Sequence, residues 1–208
     1  PKAPLQPIPA FDEPFSQVII DCVGPLPRTS SGNQYLLTIM CAATRFPEAI
    51  PLRNIKTQTV VKALLKFFTA YGLPKSVQSD RGSNFTARLF DQVLAELGIA
   101  HHCSSAYHPE SQGALERYHQ TFKNMLRTYV FQHEKDWDLG VPFLLFATRD
   151  SVQESLGFTP FELVFGHRVR GPLKLIKEKW LDSSDETTDL LVYVTKMKER
   201  LTDASTVA

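Results

Sequence analysis

Ser79-Asp80-Arg81-Gly82-Ser83-Asn84-Phe85 opens, and Tyr107-His108-Pro109-Glu110-Ser111-Gln112-Gly113-Ala114-Leu115-Glu116-Arg117 closes, the stretch whose reading decides the fold. The run Lys75–Ser79 reads as a short strand between the Gly72-Leu73-Pro74 break and a turn at Gly82, so Asp80 stands at a strand end. Glu116 falls in the first turns of a helix, with Ser111 as its expected cap and Pro109 and Gly113 fixing its entry. Thirty-five residues separate the two acids. Upstream, Asp21 ends the apolar run Gln17-Val18-Ile19-Ile20, again as strand punctuation. Three carboxylates at two strand ends and one helix start can converge on a pair of divalent metal ions.

Asp after a strand and Glu near a helix start are common for turn and dipole reasons alone. Here the acids come inside longer motifs. The segments around Asp80 and Glu116 resemble the second and third blocks of the retroviral and retrotransposon integrase core. Asp21-Cys22-Val23-Gly24-Pro25-Leu26-Pro27 resembles its first block as found in gypsy-type long-terminal-repeat elements. The Asp…Asp, 35 residues, Glu spacing is that family's signature, and the resemblance runs from about Pro4 through Gly171. It implies a ribonuclease-H-like fold and a DNA nucleotidyltransferase and endonuclease acting in DNA integration. Asp21, Asp80 and Glu116 are then both the catalytic residues and the ligands of two Mg²⁺ or Mn²⁺ ions.

Outward from the motifs, the chain reads in order as follows. Residues 1–15 hold five prolines and form an extended lead-in. Ser16–Val23, Tyr35–Cys41 and Phe46–Leu52 read as three strands of an antiparallel meander. Thr57–Tyr71 carries Val60, Val61, Leu64, Leu65, Phe67 and Phe68 at helical spacing, a core stripe ended by Gly72. After the strand before Asp80 come a helix over Ala87–Leu97, with Phe90, Val93, Leu94 and Leu97 on one face, and a fifth strand over Ile99–Cys103. The helix of Glu116 continues to about His133, and Asp138–Arg149 forms another. The pattern predicts an α/β fold, a five-stranded mixed sheet flanked by helices. Residues 16–166 form the catalytic core. Gly157–Gly166 closes it, resembling the segment that ends the core in gypsy-type integrases, with Phe158, Phe161 and Phe165 expected to be buried. Residues 167–208 hold a basic segment and an amphipathic tail helix over Thr187–Leu201.

Composition narrows the alternatives. A chain of 208 residues with 43% hydrophobic content suits one globular domain with appendages. No apolar run approaches the roughly 20 residues of a membrane span. Cys22, Cys41 and Cys103 are widely spaced without a Cys-x-x-Cys pair and read as buried reduced thiols. His101, His102 and Cys103 are adjacent, which is wrong for a zinc site. The formal charge of +1 argues neither for nor against a nucleic-acid partner; its distribution matters more. The chain starts at Pro1 without a methionine, so an excised fragment is expected, lacking the zinc domain and C-terminal DNA-binding module common in integrases. Relatives often have Asp where Cys41 stands, a departure outside the metal triad.

The chemistry explains the residue types. In-line phosphodiester attack must activate a weak nucleophile and hold a departing alkoxide, which two divalent ions roughly 4 Å apart on hard oxygen ligands can do. In the resemblance Asp21 bridges both ions, Asp80 binds one and Glu116 the other. Water then trims a DNA 3′ end, and the freed hydroxyl attacks a target phosphate. On the helix, His119, Gln120, Lys123 and Arg127 share the face of Glu116, a polar and cationic stripe suited to double-stranded DNA. The resemblance adds Gln112 and Tyr107, in the loop that engages DNA ends, and gives Lys123 the element's terminal phosphates. A solvated helix face is the competing reading of Lys123 and Arg127. The family further implies a homodimer or higher assembly and integration in the nucleus. Two other readings stand beside it. One is a host-domesticated integrase-derived module that binds DNA or protein without catalysis, disfavoured by the intact triad. The other is a different ribonuclease-H-like nuclease, disfavoured because Glu comes last in the order of acids.

Overall fold

The computed structural model describes residues 13–83, 85–103, 109–133, 135–153 and 156–171, and within 109–116 the helical backbone only. Its elements are β1 (Gln17–Val23), β2 (Tyr35–Cys41), β3 (Pro47–Leu52), α1 (Thr57–Tyr71), β4 (Ser76–Ser79), α2 (Arg88–Glu96), β5 (Ala100–Cys103), α3 (Pro109–His133), α4 (Trp137–Asp150) and α5 (Pro160–Phe165). The strands form one sheet in the order β3-β2-β1-β4-β5. The first three pair antiparallel, as expected of a meander, and β4 and β5 add in parallel on the other side of β1. The five-stranded mixed sheet flanked by helices therefore stands as the sequence predicts.

Side chains alternate across β1, and this divides the core in two. Val18 and Ile20 join Leu37, Ile39 and Val77 under α1 and α2, with Val60, Leu64, Phe67, Phe68, Phe90 and Leu94. Ile19 and Val23 join Leu36, Met40 and Ala49 under α3 and α4, with Phe122, Leu126, Trp137, Val141 and Leu144. Asp21 has the parity of Ile19 and Val23, so it faces α3. A sheet covered on both faces also explains why β1 and β2 are apolar at nearly every position rather than alternating.

The ends of the elements follow local chemistry. Gly72, at φ 93°, ends α1 by donating its N–H to Phe68 O at 2.8 Å. Thr159 and Glu162 form a reciprocal cap at the start of α5, with Pro160 in its first turn. Asp138 on α4 accepts from Thr29 Oγ1 and Asn33 Nδ2, and Trp137 Nε1 donates to Pro27 O, tying the β1–β2 loop down.

Several expectations need correction. Asp21 lies inside β1, two residues before its end, because Cys22 and Val23 still pair with β2. Ser111 does not cap α3: the helix already begins at Pro109, whose fixed φ and missing N–H suit a first turn. Phe158 and Phe165 are about half exposed and Phe161 is partly buried, since α5 is short and lies at the margin of the core, where Phe165 packs edge-on to Phe46. On α1, Leu65 is exposed and Val61 only partly buried, the stripe being narrower than the run of apolar letters. Of the thiols, Cys41 is buried, but Cys22 is only partly buried and Cys103, on the edge strand, is exposed. The lead-in before Glu13 and the tail helix over 187–201 lie outside the described residues.

Candidate active site

Parallel pairing of β1 with β4 sets the site. Gln17, Val18 and Ile19 lie opposite Ser76, Val77 and Gln78, and the same register carried two residues on brings Asp21 level with Asp80. Both acids line one pocket of about 190 Å³, together with Ile19, Ile20, Gln78, Ser79 and, from α3, His119, Gln120 and Lys123. Two acids 59 positions apart in sequence thus come to one pocket because the parallel register sets them level on neighbouring strands.

Each acid is held differently. Asp21 Oδ1 accepts the Cys22 N–H at 2.7 Å, and Oδ2 takes Lys123 Nζ at 2.7 Å in a largely buried ion pair. Asp80, just past β4, is exposed, and its Oδ1 accepts the Gly82 N–H at 2.9 Å, a side-chain-to-backbone turn. Behind Asp21, Thr38 Oγ1 donates to Asp21 O at 3.1 Å and lies 3.0 Å from His119 Nε2. Since the hydroxyl proton is committed to the carbonyl, His119 must donate from Nε2, as a neutral ring can. Burial, reinforced by the Lys123 charge and opposed by Asp21, pushes the His119 pKa down to about 4.

The helix face needs a correction. His119 does not extend toward solvent beside Gln120; it is 5% exposed and packs beneath the pocket on Thr38. Gln120 is exposed and donates to Asn124 Oδ1, Lys123 turns inward to Asp21, and Arg127 is exposed one turn on. Glu116 and Gln112 lie on the α3 backbone, the former one residue before Arg117 and three before His119; their side chains, and Tyr107 altogether, lie outside the described residues. Thr38 and Gln78 were not singled out from sequence. Their only signal is parity, each lying on the α3 face beside an acid.

Among the described residues no three His, Cys, Asp or Glu side chains form a metal-holding cluster. The donor set nonetheless suits a hard divalent cation: two carboxylates adjoin in a pocket, and one already holds a cation, the Lys123 ammonium, at contact distance. Asp21 and Asp80 are the described groups that would hold Mg²⁺ or Mn²⁺.

Residues 12–109 match the family model of the integrase core domain. The computed fold superposes on the crystal structure of the catalytic core domain of BIV integrase with a TM-score of 0.58 at 21% identity, covering 80% of this chain and 99% of that one. It also superposes on the catalytic core domain of HTLV-2 integrase, solved in complex with magnesium in a trimeric form, with a TM-score of 0.56 at 16% identity, covering 72% and 95%. The fold is thus the ribonuclease-H-like architecture of these integrase catalytic cores, and the sequence is similar to integrase core domains. Its relatives are Pol polyproteins of retroviruses and retrotransposons. One is the retrovirus-related Pol polyprotein from transposon 412 of Drosophila melanogaster, 30% identical over 188 residues. The match takes in 90% of this chain but only 15% of that polyprotein's length.

Proposed function

We propose that this chain is the catalytic core of a gypsy-type retroelement integrase, which trims the element's DNA 3′ ends and joins them to target DNA in the nucleus. The observation that carries the reading is the meeting of Asp21 and Asp80 in one pocket beneath the helix that bears Glu116. Asp21, Asp80 and Glu116 would hold two Mg²⁺ or Mn²⁺ ions. When bound, such ions lower the pKa of a nucleophilic water or hydroxyl and neutralise the leaving oxygen.

The chain's own residues supply the rest. Lys123 pairs with Asp21 and would turn to a DNA phosphate once that carboxylate is engaged by a metal ion. Gln120 and Arg127 extend the polar face along α3, the track for a DNA backbone leaving the pocket; Tyr107 and Gln112 would add to the DNA contacts on the strength of the resemblance. His119 and Thr38 brace the Asp21 backbone from below. We further propose pairing of two copies through the outer faces of α1 and α4, where Leu65 and Leu139 are exposed.

A strand-transfer assay on oligonucleotides mimicking the element's ends tests the reading. Joined products that require Mg²⁺ or Mn²⁺ and vanish with chelator are expected. DNA binding without any joining would favour a non-catalytic, domesticated module.

A further inference from the structure

The side of β4 away from the pocket carries polar contacts that the proposed reaction leaves unused. Val77 packs with α1 and α2, and alternation puts the Ser79 hydroxyl on that same side, although Ser79, like Gln78 and Asp80, also borders the pocket. Ser79 Oγ donates to Asp80 O at 2.8 Å and lies 2.9 Å from His101 Nε2 on β5. His101 Nδ1 lies 2.6 Å from Asp91 Oδ1 on α2. The His101 side chain is only 9% exposed, and its ring stands edge-on to Phe90 at 5.1 Å.

The proton count on this chain of contacts fixes its direction. Ser79 has one hydroxyl proton, so if Asp80 O receives it, Oγ must accept from His101 Nε2–H. A carboxylate only accepts, so Nδ1 carries the proton of the contact with Asp91. Both ring nitrogens are thus engaged, Nε2 by Ser79 Oγ and Nδ1 by Asp91. The Asp91–His101–Ser79 series therefore ends on the peptide of Asp80.

We propose that His101, clamped by Asp91, is a positioning residue that sets the orientation of Asp80 through Ser79. The functional part of this inference rests on the reading of Asp80 as a metal ligand. Asp80 follows the last residue of β4 and is exposed, and among the described residues its carboxylate accepts from the Gly82 N–H. A ligand at a strand end is pre-organised only if the backbone beneath it is held. The His101 clamp holds it from the opposite face of the sheet, without touching the pocket.

The test uses the 208-residue chain without metal or DNA, then with Mn²⁺ alone. His101→Phe keeps a ring against Phe90 and removes both donors, and His101→Gln retains an N–H able to reach Ser79. Exchange of the Gly82 amide, followed by NMR, should quicken roughly tenfold in His101→Phe, about what one hydrogen bond of local stability gives. The amides of β1 and β2 should be unaffected, Mn²⁺ affinity should fall several-fold, and His101→Gln should restore most of both. Ser79→Ala should reproduce the Phe variant, and decides the matter if that variant fails to fold. Unchanged Gly82 exchange and Mn²⁺ affinity in His101→Phe, or in Ser79→Ala where that variant decides, would overturn the proposal. If Gly82 responds but even the parent chain takes up no Mn²⁺, the positioning stands and the metal reading of Asp80 falls.

Discussion

Lys123 does two jobs in this account, and its ion pair with Asp21 makes them separable. In the free chain the ammonium satisfies a partly buried carboxylate that would otherwise stand uncompensated. A divalent ion must displace it. Lys123→Ala should therefore tighten Mn²⁺ binding in the absence of DNA. It should also weaken DNA binding and make its salt dependence shallower by roughly one counterion, for one lost phosphate contact. Looser Mn²⁺ binding in calorimetric titration, or an unchanged salt slope, would return Lys123 to a structural role. His119 gives a second prediction at this scale. Its folded pKa of about 4 lies below the ordinary 6.5, so between those values the unfolded chain takes up a proton that the folded chain refuses. This group's contribution is complete above pH 6.5 and is lost as pH falls toward 4, amounting to roughly 2–3 kcal/mol by pH 4.5. Urea unfolding at pH 7 and 4.5 should show that loss in the parent and not in His119→Gln; equal losses would contradict it.

Among the elements, the contact of α3 with α4 is the most exacting. A Cβ on Gly140 would overlap the phenol ring and hydroxyl of Tyr129, so α4 approaches α3 this closely with glycine there. Gly140→Ala should destabilise by about 3 kcal/mol, at the upper end of overpacking costs. Adding Tyr129→Ala should cost less than the two changes summed, because the ring that clashes is gone. Strictly additive values in urea titrations would deny the contact. This joint was not legible in the sequence, since nothing links Gly140 to a tyrosine on another helix. What could be read was what a single element determines by itself. The stripe of α1, the apolar runs of β1 and β2 and the acid just past β4 are local patterns, and the fold followed from them. His119 was misplaced because helical spacing gives a shared face without saying which edge of it meets the sheet. Phe158 and Phe165 were expected inside because aromatic content shows a wish for burial, not the room available at the rim. The His101 clamp joins α2, β5 and β4, and only the assembled sheet brings those together.

At the scale of the molecule, the sheet works as a bench that presents two acids on one side and braces one of them from the other. Its helices leave apolar residues outward, Leu65 on α1 and Leu139 on α4 among them. If those faces join two copies, the chain should sediment as a dimer and Leu139→Glu as a monomer. A monomer at all concentrations in the parent chain would remove that interface. The central claim is that one pocket, formed by Asp21 and Asp80 with Glu116 on α3, carries out metal-dependent phosphodiester transfer. The most direct test gives residues 1–208 a preassembled branched DNA, so that end recognition and pairing are not limiting. With Mg²⁺ or Mn²⁺ a 3′-hydroxyl of the branched DNA should attack the joining phosphate, forming a new phosphodiester and releasing the branch strand with a free 3′-hydroxyl. Asp21→Asn, Asp80→Asn and Glu116→Gln should each abolish that reaction while keeping the parent's fold. Near-parental turnover in any of the three, or no turnover by a folded parent chain that binds the branched DNA, would contradict the account.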